Sequence, residues 1–191
     1  MNLTRRSLWF GLGAGAGAVA GAVVARAVPI AKVGDVLRPP GAGADFLATC
    51  IRCSRCIDAC PHDVLAPRPA LSGVDAWTPA FVARANPCNL CADHDAMQCI
   101  AACPTGALAA IASLAEVRIG TAVVDPTTCF AFNGVTCRAC WHACPLAGTA
   151  IRLDAKLHPV VDADHCIGCG LCEHACLTDP ASIVVRARGA A

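Results

Sequence analysis

The sequence predicts an α+β fold of short helices and strands, rich in loops, in which one structural unit occurs four times. The 191 residues include 16 cysteines, 16 glycines and 13 prolines but no tyrosine, and aromatic residues make up only 4%. The cysteines fall into four groups of four, and short apolar runs flank these groups. Aromatic side chains normally supply much of a buried core. Because they are scarce here, we expect cysteine chemistry to supply much of the stability.

The N-terminus has the pattern of a targeting segment. Arg5 and Arg6 precede an uncharged stretch at residues 7–25, and Ala25-Arg26-Ala27 offers an A-x-A cleavage site. We predict that residues 1–27 are a twin-arginine export signal and that the chain is periplasmic. The alternative is an uncleaved anchor that holds the chain on the periplasmic face of the inner membrane, because the uncharged stretch is just long enough to span a bilayer.

The charge of the chain argues against one class of partner. Fifteen lysines and arginines face fourteen acidic residues, and three of the arginines lie in the predicted signal. The remainder therefore carries twelve basic and fourteen acidic side chains, a small negative excess. Such a surface lacks the basic face that binds phosphate backbones, and we predict no nucleic-acid binding.

The cysteine groups have regular internal spacing, and in every group three residues separate the last two cysteines. The groups are Cys50, Cys53, Cys56 and Cys60; Cys88, Cys91, Cys99 and Cys103; Cys129, Cys137, Cys140 and Cys144; and Cys166, Cys169, Cys172 and Cys176. The first and fourth groups have the C-x2-C-x2-C-x3-C spacing of bacterial [4Fe–4S] ligands. The second group lengthens its second gap to seven residues, and the third lengthens its first gap to seven.

This spacing predicts four [4Fe–4S] clusters, with all sixteen cysteines as metal ligands. Three thiolates two residues apart can surround one cubane, while the fourth cysteine points away and ligates the partner cluster. Gly168 and Gly170 would let the loop approach closely. Zinc is the weaker alternative because its sites use two separated C-x2-C pairs. Disulfides are also weaker because cysteines this close in one loop have unsuitable geometry.

The repeated unit predicts how the chain is organised. It consists of a short strand, a cysteine loop, a turn or short helix beginning at Cys-Pro, and a second strand; Val123-Val124-Asp125 and Val160-Val161-Asp162 occupy matching places in it. We predict an extended lead-in at residues 28–49 and a four-cluster domain at residues 50–191, made of two ferredoxin-like two-cluster modules. The spacing allows sequential pairing of groups one with two and three with four. It equally allows nested pairing of one with four and two with three.

Few other residues suggest chemistry. His142 and His174 lie inside cysteine groups and could donate hydrogen bonds to a cluster, although packing or surface roles are the more common ones for such residues. Arg52, Arg55 and Arg138 lie between ligands, and our hypothesis is that their charge raises the local reduction potentials. Solvated surface arginines are an equally common alternative. We find no nucleophile–base pair and no phosphate loop, and we predict no catalytic site in the chain itself.

Three short segments carry a family resemblance: Leu37 to Ala42, Thr78 to Arg84, and Cys103 to Leu108. With these segments and both lengthened gaps, the chain resembles the periplasmic ferredoxin-type, quinol-dehydrogenase subunit of the nitrate reductase system and its methylamine-utilisation relative. The resemblance implies an electron relay from a membrane quinol-oxidising iron–sulfur protein to a periplasmic cytochrome c or reductase. Association with the membrane would run through that partner or an uncleaved N-terminus.

The resemblance leaves other functions open. One is a maturation or electron-transfer factor of a methylamine-oxidising system. Another is the electron-transfer subunit of an exported molybdopterin oxidoreductase. The four-cluster subunits of those enzymes are wider relatives and pair their groups in the nested way, and the resemblance therefore favours nested pairing here.

Overall fold

A computed structural model describes residues 36–188 of the chain, which belong to one compact unit. The predicted signal or anchor at residues 1–27 lies outside the described residues. Within residues 36–188, no helix is both long and apolar enough to cross a membrane.

Five short α-helices and two 3-10 turns make up the helical part of the described chain. The helices are α1 Phe46–Thr49, α2 Arg55–Asp58, α3 Gln98–Ala101, α4 Ala139–Ala143 and α5 Leu171–His174, and the 3-10 turns are Gly73–Asp75 and Leu114–Glu116. Each of α2 to α5 contains the third cysteine of a group and ends before the fourth. Of the two forms predicted at Cys-Pro, a turn or a short helix, the structure has the turn, at residues 61–62, 104–105 and 145–146. A proline disfavours helical geometry in the residue before it, and the helical turn fits into the x3 gap instead.

Six short strands form three antiparallel pairs. The strands are β1 Ala66–Pro67, β2 Pro79–Ala80, β3 Gly120–Val124, β4 Ile151–Leu153, β5 Pro159–Val161 and β6 Ile183–Ala187, paired as β1–β2, β3–β6 and β4–β5. The apolar runs before and after the third and fourth cysteine groups lie in β3 to β6. These positions are rich in valine and isoleucine, which fit a half-buried pleated surface.

The two halves of the described chain repeat one arrangement. In the second half, β3 and β6 form an outer pair, and β4 and β5 form an inner pair between the third and fourth cysteine groups. In the first half, β1 and β2 form the inner pair, and the outer pair is reduced to a single bridge between Ala42 and Leu108. Helix α2 packs against α3, and α4 packs against α5.

The segment before the first cysteine group packs into the core. Leu37 and Phe46 are buried, and Leu37 bridges to Phe81. Residues 28–49 are predicted as an extended lead-in. Their described part instead contributes core side chains and the helix α1. The boundaries at residues 28 and 50 stay predictions.

Two glycines let the fourth cysteine loop pack closely, Gly168 on β3 and Gly170 on Ala83. Gly168 has a φ of +74°, and a Cβ there would lie 2.1 Å from the Gly120 nitrogen. Gly170 has a φ of +88°, and a Cβ there would lie 2.5 Å from the Ala83 Cβ. The close approach expected at these glycines is therefore made to protein atoms.

Candidate cluster-binding site

The sixteen thiols gather into four sets, each made of three cysteines from one group and the last cysteine of the adjacent group. Set one is Cys50, Cys53, Cys56 and Cys103; set two is Cys88, Cys91, Cys99 and Cys60; set three is Cys129, Cys137, Cys140 and Cys176; set four is Cys166, Cys169, Cys172 and Cys144. All sixteen cysteines are free of disulfide bonds. Cys53 is exposed, whereas the three group-four cysteines of set four are buried.

Three of the sets surround a cavity. Sets one, two and three each line a small cavity whose other walls are mostly apolar. The thiols lie around the cavity wall; within residues 36–188, no three ligating side chains converge closely enough to hold a single ion. A cavity walled by four thiols and apolar side chains is the environment in which proteins hold an iron–sulfur cluster.

The exchange of the last cysteine shows sequential pairing. Cys103 completes set one and Cys60 completes set two, while Cys176 and Cys144 do the same for sets three and four. The preference for nested pairing is therefore wrong for this chain. The cause is local: the β1–β2 and β4–β5 pairs each join two consecutive groups, and α2–α3 and α4–α5 pack within the same halves.

Burial makes seven of these thiols reluctant to ionise. Removal from water, reinforced by neighbouring thiolates, raises the pKa of Cys88 and Cys99 to about 12 and that of Cys56, Cys140 and Cys169 to about 11. It raises the pKa of Cys144 and Cys172 as well. At neutral pH these seven thiols stay protonated unless a cation compensates the thiolate charge, which iron does.

Two of the exchanged cysteines behave differently. Burial acts to raise the pKa of Cys176, but the Thr178 hydroxyl at 3.2 Å from its Sγ and nearby backbone N–H groups lower it overall. The pKa of Cys103 is also lowered overall. Burial acts to raise it, but nearby backbone N–H groups and the Thr105 hydroxyl, 3.8 Å from the sulfur, outweigh that effect. These threonines are candidate functional residues that the sequence analysis missed. The shared Cys-x-Thr spacing at both positions was the available signal.

The ligand loops share one backbone conformation. The second residue after the first cysteine has a positive φ in three groups: Arg52 at 58°, Leu90 at 58° and Gly168 at 74°. Ser54 and Gly170, which follow the next cysteine in groups one and four, also have positive φ. This left-handed geometry curls the loop and turns its N–H groups inward. At set four, the Ala122 N–H of β3 also donates to the Cys166 sulfur at 3.4 Å.

The other candidate residues have contacts of their own. Arg52 donates through Nε to the Ala76 carbonyl at 3.0 Å and through Nη2 to the Val74 carbonyl at 3.1 Å. The Nδ1 atom of His174 lies 2.9 Å from the Arg84 carbonyl oxygen, and His142 stands edge-on to the ring of Trp141. Arg55 is exposed and Arg138 precedes α4. The effect of Arg52, Arg55 and Arg138 on potentials stays a prediction.

Comparison with known proteins matches both halves of the chain. Family models described as a 4Fe-4S dicluster domain match residues 49–107 and 121–177. No solved structure matches. Each matched region contains two consecutive cysteine groups, in agreement with sequential pairing. The prediction of four [4Fe–4S] clusters is confirmed, and the chain is an iron–sulfur protein with two dicluster domains.

Relatives extend the similarity beyond the cysteines. The ferredoxin-type protein NapG of Haemophilus influenzae is 41% identical over 171 residues, which cover 82% of this chain and 60% of the relative. NapG of Escherichia coli is 40% identical over 78% of this chain and 69% of the relative. The methylamine utilization ferredoxin-type protein MauM of Methylorubrum extorquens is 42% identical over 80% of this chain and 73% of the relative. The chain thus spans about three fifths to three quarters of the length of these relatives. It belongs to the family of ferredoxin-type proteins that includes NapG and MauM.

Proposed function

We propose that this chain is an exported electron-transfer protein that relays single electrons. Its donor would be a membrane quinol-oxidising iron–sulfur protein, and its acceptor a periplasmic cytochrome c or reductase. The observation that carries the proposal is the assembly of all sixteen cysteines into four complete ligand sets within two dicluster domains. A [4Fe–4S] cluster bound by such a set exchanges one electron at a potential that its surroundings tune.

The residues around the sets have three tasks in this function. The cysteines bind iron as thiolates. Buried side chains such as Leu90, Leu108 and Ile183 line the cavities and exclude water. Backbone and hydroxyl donors such as the Ala122 N–H and Thr178 stabilise negative charge on sulfur. None of these tasks changes a covalent bond of a substrate, and we propose that the chain works as a component of an oxidoreductase system.

The sequence pattern of the N-terminus supports the same proposal. The arginine pair and the uncharged stretch at residues 1–27 would direct a chain that has already folded around its clusters to the periplasm. Retention of this segment would anchor the chain at the membrane beside a quinol-oxidising donor. Cell fractionation with N-terminal sequencing distinguishes these forms: a mature chain beginning at Val28 indicates cleavage, and a membrane-bound chain beginning at Met1 indicates an anchor.

A second function is favoured by the MauM relatives. They are 38 to 42% identical to this chain, as similar as the NapG relatives at 40 to 41%. Service in a methylamine-oxidising system, as electron carrier or maturation factor, is therefore the alternative proposal. Sequential pairing argues against a role as molybdopterin oxidoreductase subunit, because the four-cluster subunits of those enzymes pair their groups in the nested way.

Metal analysis is the first test. Anaerobically purified protein should contain about sixteen iron and sixteen sulfide per chain, as four cubanes require, and its reduced form should give coupled cubane EPR signals. Zinc without sulfide would end the electron-transfer proposal.

The second test separates the two systems. Deletion of the gene should stop electron flow from quinol to periplasmic nitrate reduction while growth on methylamine continues. Loss of growth on methylamine with unchanged nitrate reduction would assign the chain to the methylamine system.

A further inference from the structure

Arg84 reaches from the first half of the described chain into the second. It lies after β2, four residues before Cys88, and its side chain is partly buried. Its Nη1 donates to the carbonyl oxygens of Glu173 and Cys176, both at 2.8 Å, and of His174 at 3.2 Å. Its Nη2 donates to the Thr178 carbonyl at 3.1 Å. One guanidinium thus binds four carbonyls on the segment that follows Cys172 and includes Cys176.

The backbone beside Arg84 makes contacts across the same boundary. The Cys88 N–H donates to the Cys169 carbonyl at 2.9 Å. Gly170 packs so closely on Ala83 that an added Cβ would lie 2.5 Å from the Ala83 Cβ. Cys88 belongs to set two and Cys169 to set four, and these two sets therefore meet at the boundary.

Arginine suits this position for two reasons. The carbonyls of Glu173 and His174 are at the C-terminal end of α5, where backbone acceptors have no helical partner and a cation is favourable. The planar guanidinium presents five donors in a fixed fork, so one side chain can satisfy several acceptors at once. A lysine could keep the charge but would reach fewer of these carbonyls.

We propose that Arg84 is a positioning residue that holds sets two and four together, and that this junction is where electrons cross between the two dicluster domains. The inference rests on the proposed electron-transfer function. In the crossing, the group at one set is oxidised by one electron and the group at the other is reduced by that electron. No proton or ligand moves.

The junction also fixes the order of the sets along the molecule. Cys56 of set one and Cys99 of set two are close enough to interact electrostatically, as are Cys140 of set three and Cys172 of set four. With sets two and four in contact through Cys88 and Cys169, the order is one, two, four, three. Sets one and three lie at the ends, where electrons enter and leave.

The test compares holoprotein of four forms: wild type, Arg84→Ala, Arg84→Lys and the control Arg152→Ala. Arg152 is an exposed arginine of the second half whose ion pair with Asp162 is long, at 3.4 Å. Iron and sulfide are measured first, then hydrogen exchange of the Cys88 amide, then EPR of the fully reduced protein for magnetic interaction between the domains.

Loss of the charge-assisted hydrogen bonds should speed exchange of the Cys88 amide about tenfold in Arg84→Ala. The same variant should lose EPR splitting between domains while retaining its iron and the splitting within each domain. Arg84→Lys should be intermediate in both measurements, and Arg152→Ala should match wild type.

Three results would count against the proposal in different ways. Wild-type protein without iron and sulfide would overturn the electron-transfer function itself. Full iron together with wild-type exchange in Arg84→Ala would overturn the junction alone. Faster exchange of the Cys88 amide with unchanged EPR interaction would show that Arg84 stabilises the boundary between the halves but does not set the distance between sets two and four, and would overturn its role in electron transfer.

Discussion

At the scale of single residues, the exchanged cysteines Cys103 and Cys176 differ from the buried thiols around them. Both are followed two residues later by a threonine whose hydroxyl is near the cysteine sulfur. The Thr178 hydroxyl accepts from the Ser182 N–H at 2.8 Å and lies 2.6 Å from the Ser182 hydroxyl, which can donate to it and leave the threonine proton for Cys176. A donor at a ligand sulfur stabilises the more negative, reduced state of a cluster.

The change Thr178→Val should therefore lower the reduction potential at set three. A hydrogen bond with a net worth of about 1 kcal/mol corresponds to about 40 mV for a one-electron couple. Potentiometric EPR titration measures this shift. Thr178→Ser should restore the potential, and Thr105→Val at set one should produce a smaller shift because its oxygen is 3.8 Å from the sulfur. A potential that rises or stays constant in Thr178→Val would contradict this account.

Sequence spacing identified the sixteen cysteines that the structure gathers into four sets, but not the partner of each exchanged cysteine. The choice between Cys103 and Cys176 as the fourth ligand of set one depends on which groups pack together. The lengths of the links allowed either. Sequence spacing could not predict the Arg84 contacts either, because they join residues about ninety positions apart.

At the scale of elements, the fourth cysteine loop lies against β3, where Gly168 contacts Gly120. Gly168 and Gly106 have nearly the same left-handed φ, 74° and 69°, but a Cβ would meet nothing within 4 Å at Gly106. The two positions therefore separate backbone strain from steric clash.

The change Gly106→Ala should cost only the left-handed backbone, about 1 to 2 kcal/mol. Gly168→Ala adds a clash with the backbone of Gly120, which no side-chain movement can relieve, and should also lose iron at set four. The rate of iron release on mild heating, followed by visible absorbance, measures both effects. Equal release rates for the two variants would show that the close contact contributes nothing.

A second element-scale feature ties the segment before the first cysteines to the loop before β2. Arg38 forms an ion pair with the buried Asp75 and donates to the Thr78 hydroxyl at 2.5 Å. Arg38 also lies over the Phe46 ring, 5.2 Å from its centroid. Two segments that carried the family resemblance, Leu37 to Ala42 and Thr78 to Arg84, thus meet through this network.

The change Arg38→Ala should destabilise the holoprotein by about 3 to 5 kcal/mol, since it leaves a carboxylate that is 1% exposed without its cation. Differential scanning calorimetry of the loaded protein should show a lower unfolding temperature. Arg152→Ala is the matched control, because Arg152 is 59% exposed in its ion pair with Asp162. That control should change stability by less than about 1 kcal/mol. A similar effect in both variants would argue against a special role for the buried pair.

At the scale of the whole molecule, regular secondary structure contributes little. The longest strand has five residues and the longest α-helix has five, within residues 36–188. Short ladders and single turns are marginal by themselves in water. Iron bound at four sets therefore joins segments that the backbone alone joins weakly. The same weakness explains why sequence patterns located β3 to β6 and the turns at Cys-Pro but did not predict the short helices that precede the last cysteine of each group.

Removal of iron should unfold much of the domain at pH 7. Near-UV circular dichroism and limited proteolysis after chelation measure this loss. The raised thiol pKa values set its pH dependence. In the cluster-free chain, neutral thiols favour the fold below the ordinary thiol pKa of about 9, and this contribution is lost as pH rises toward 11 or 12. Iron must displace these thiol protons when it binds again, so the affinity of the cluster-free chain for iron should increase as pH rises above 7. A chain that keeps its native dichroism without iron would contradict this dependence on metal.

The exposure of Cys53 has a consequence for survival in air. It is the exposed cysteine among the sixteen, and it belongs to set one, at one end of the order. Dissolved oxygen and peroxide reach this ligand before the buried thiols of set four, and oxidation of a ligand releases iron. With set one at an end of the proposed order, damage is expected to start there and to advance inward, so a partly aged molecule retains its interior centres.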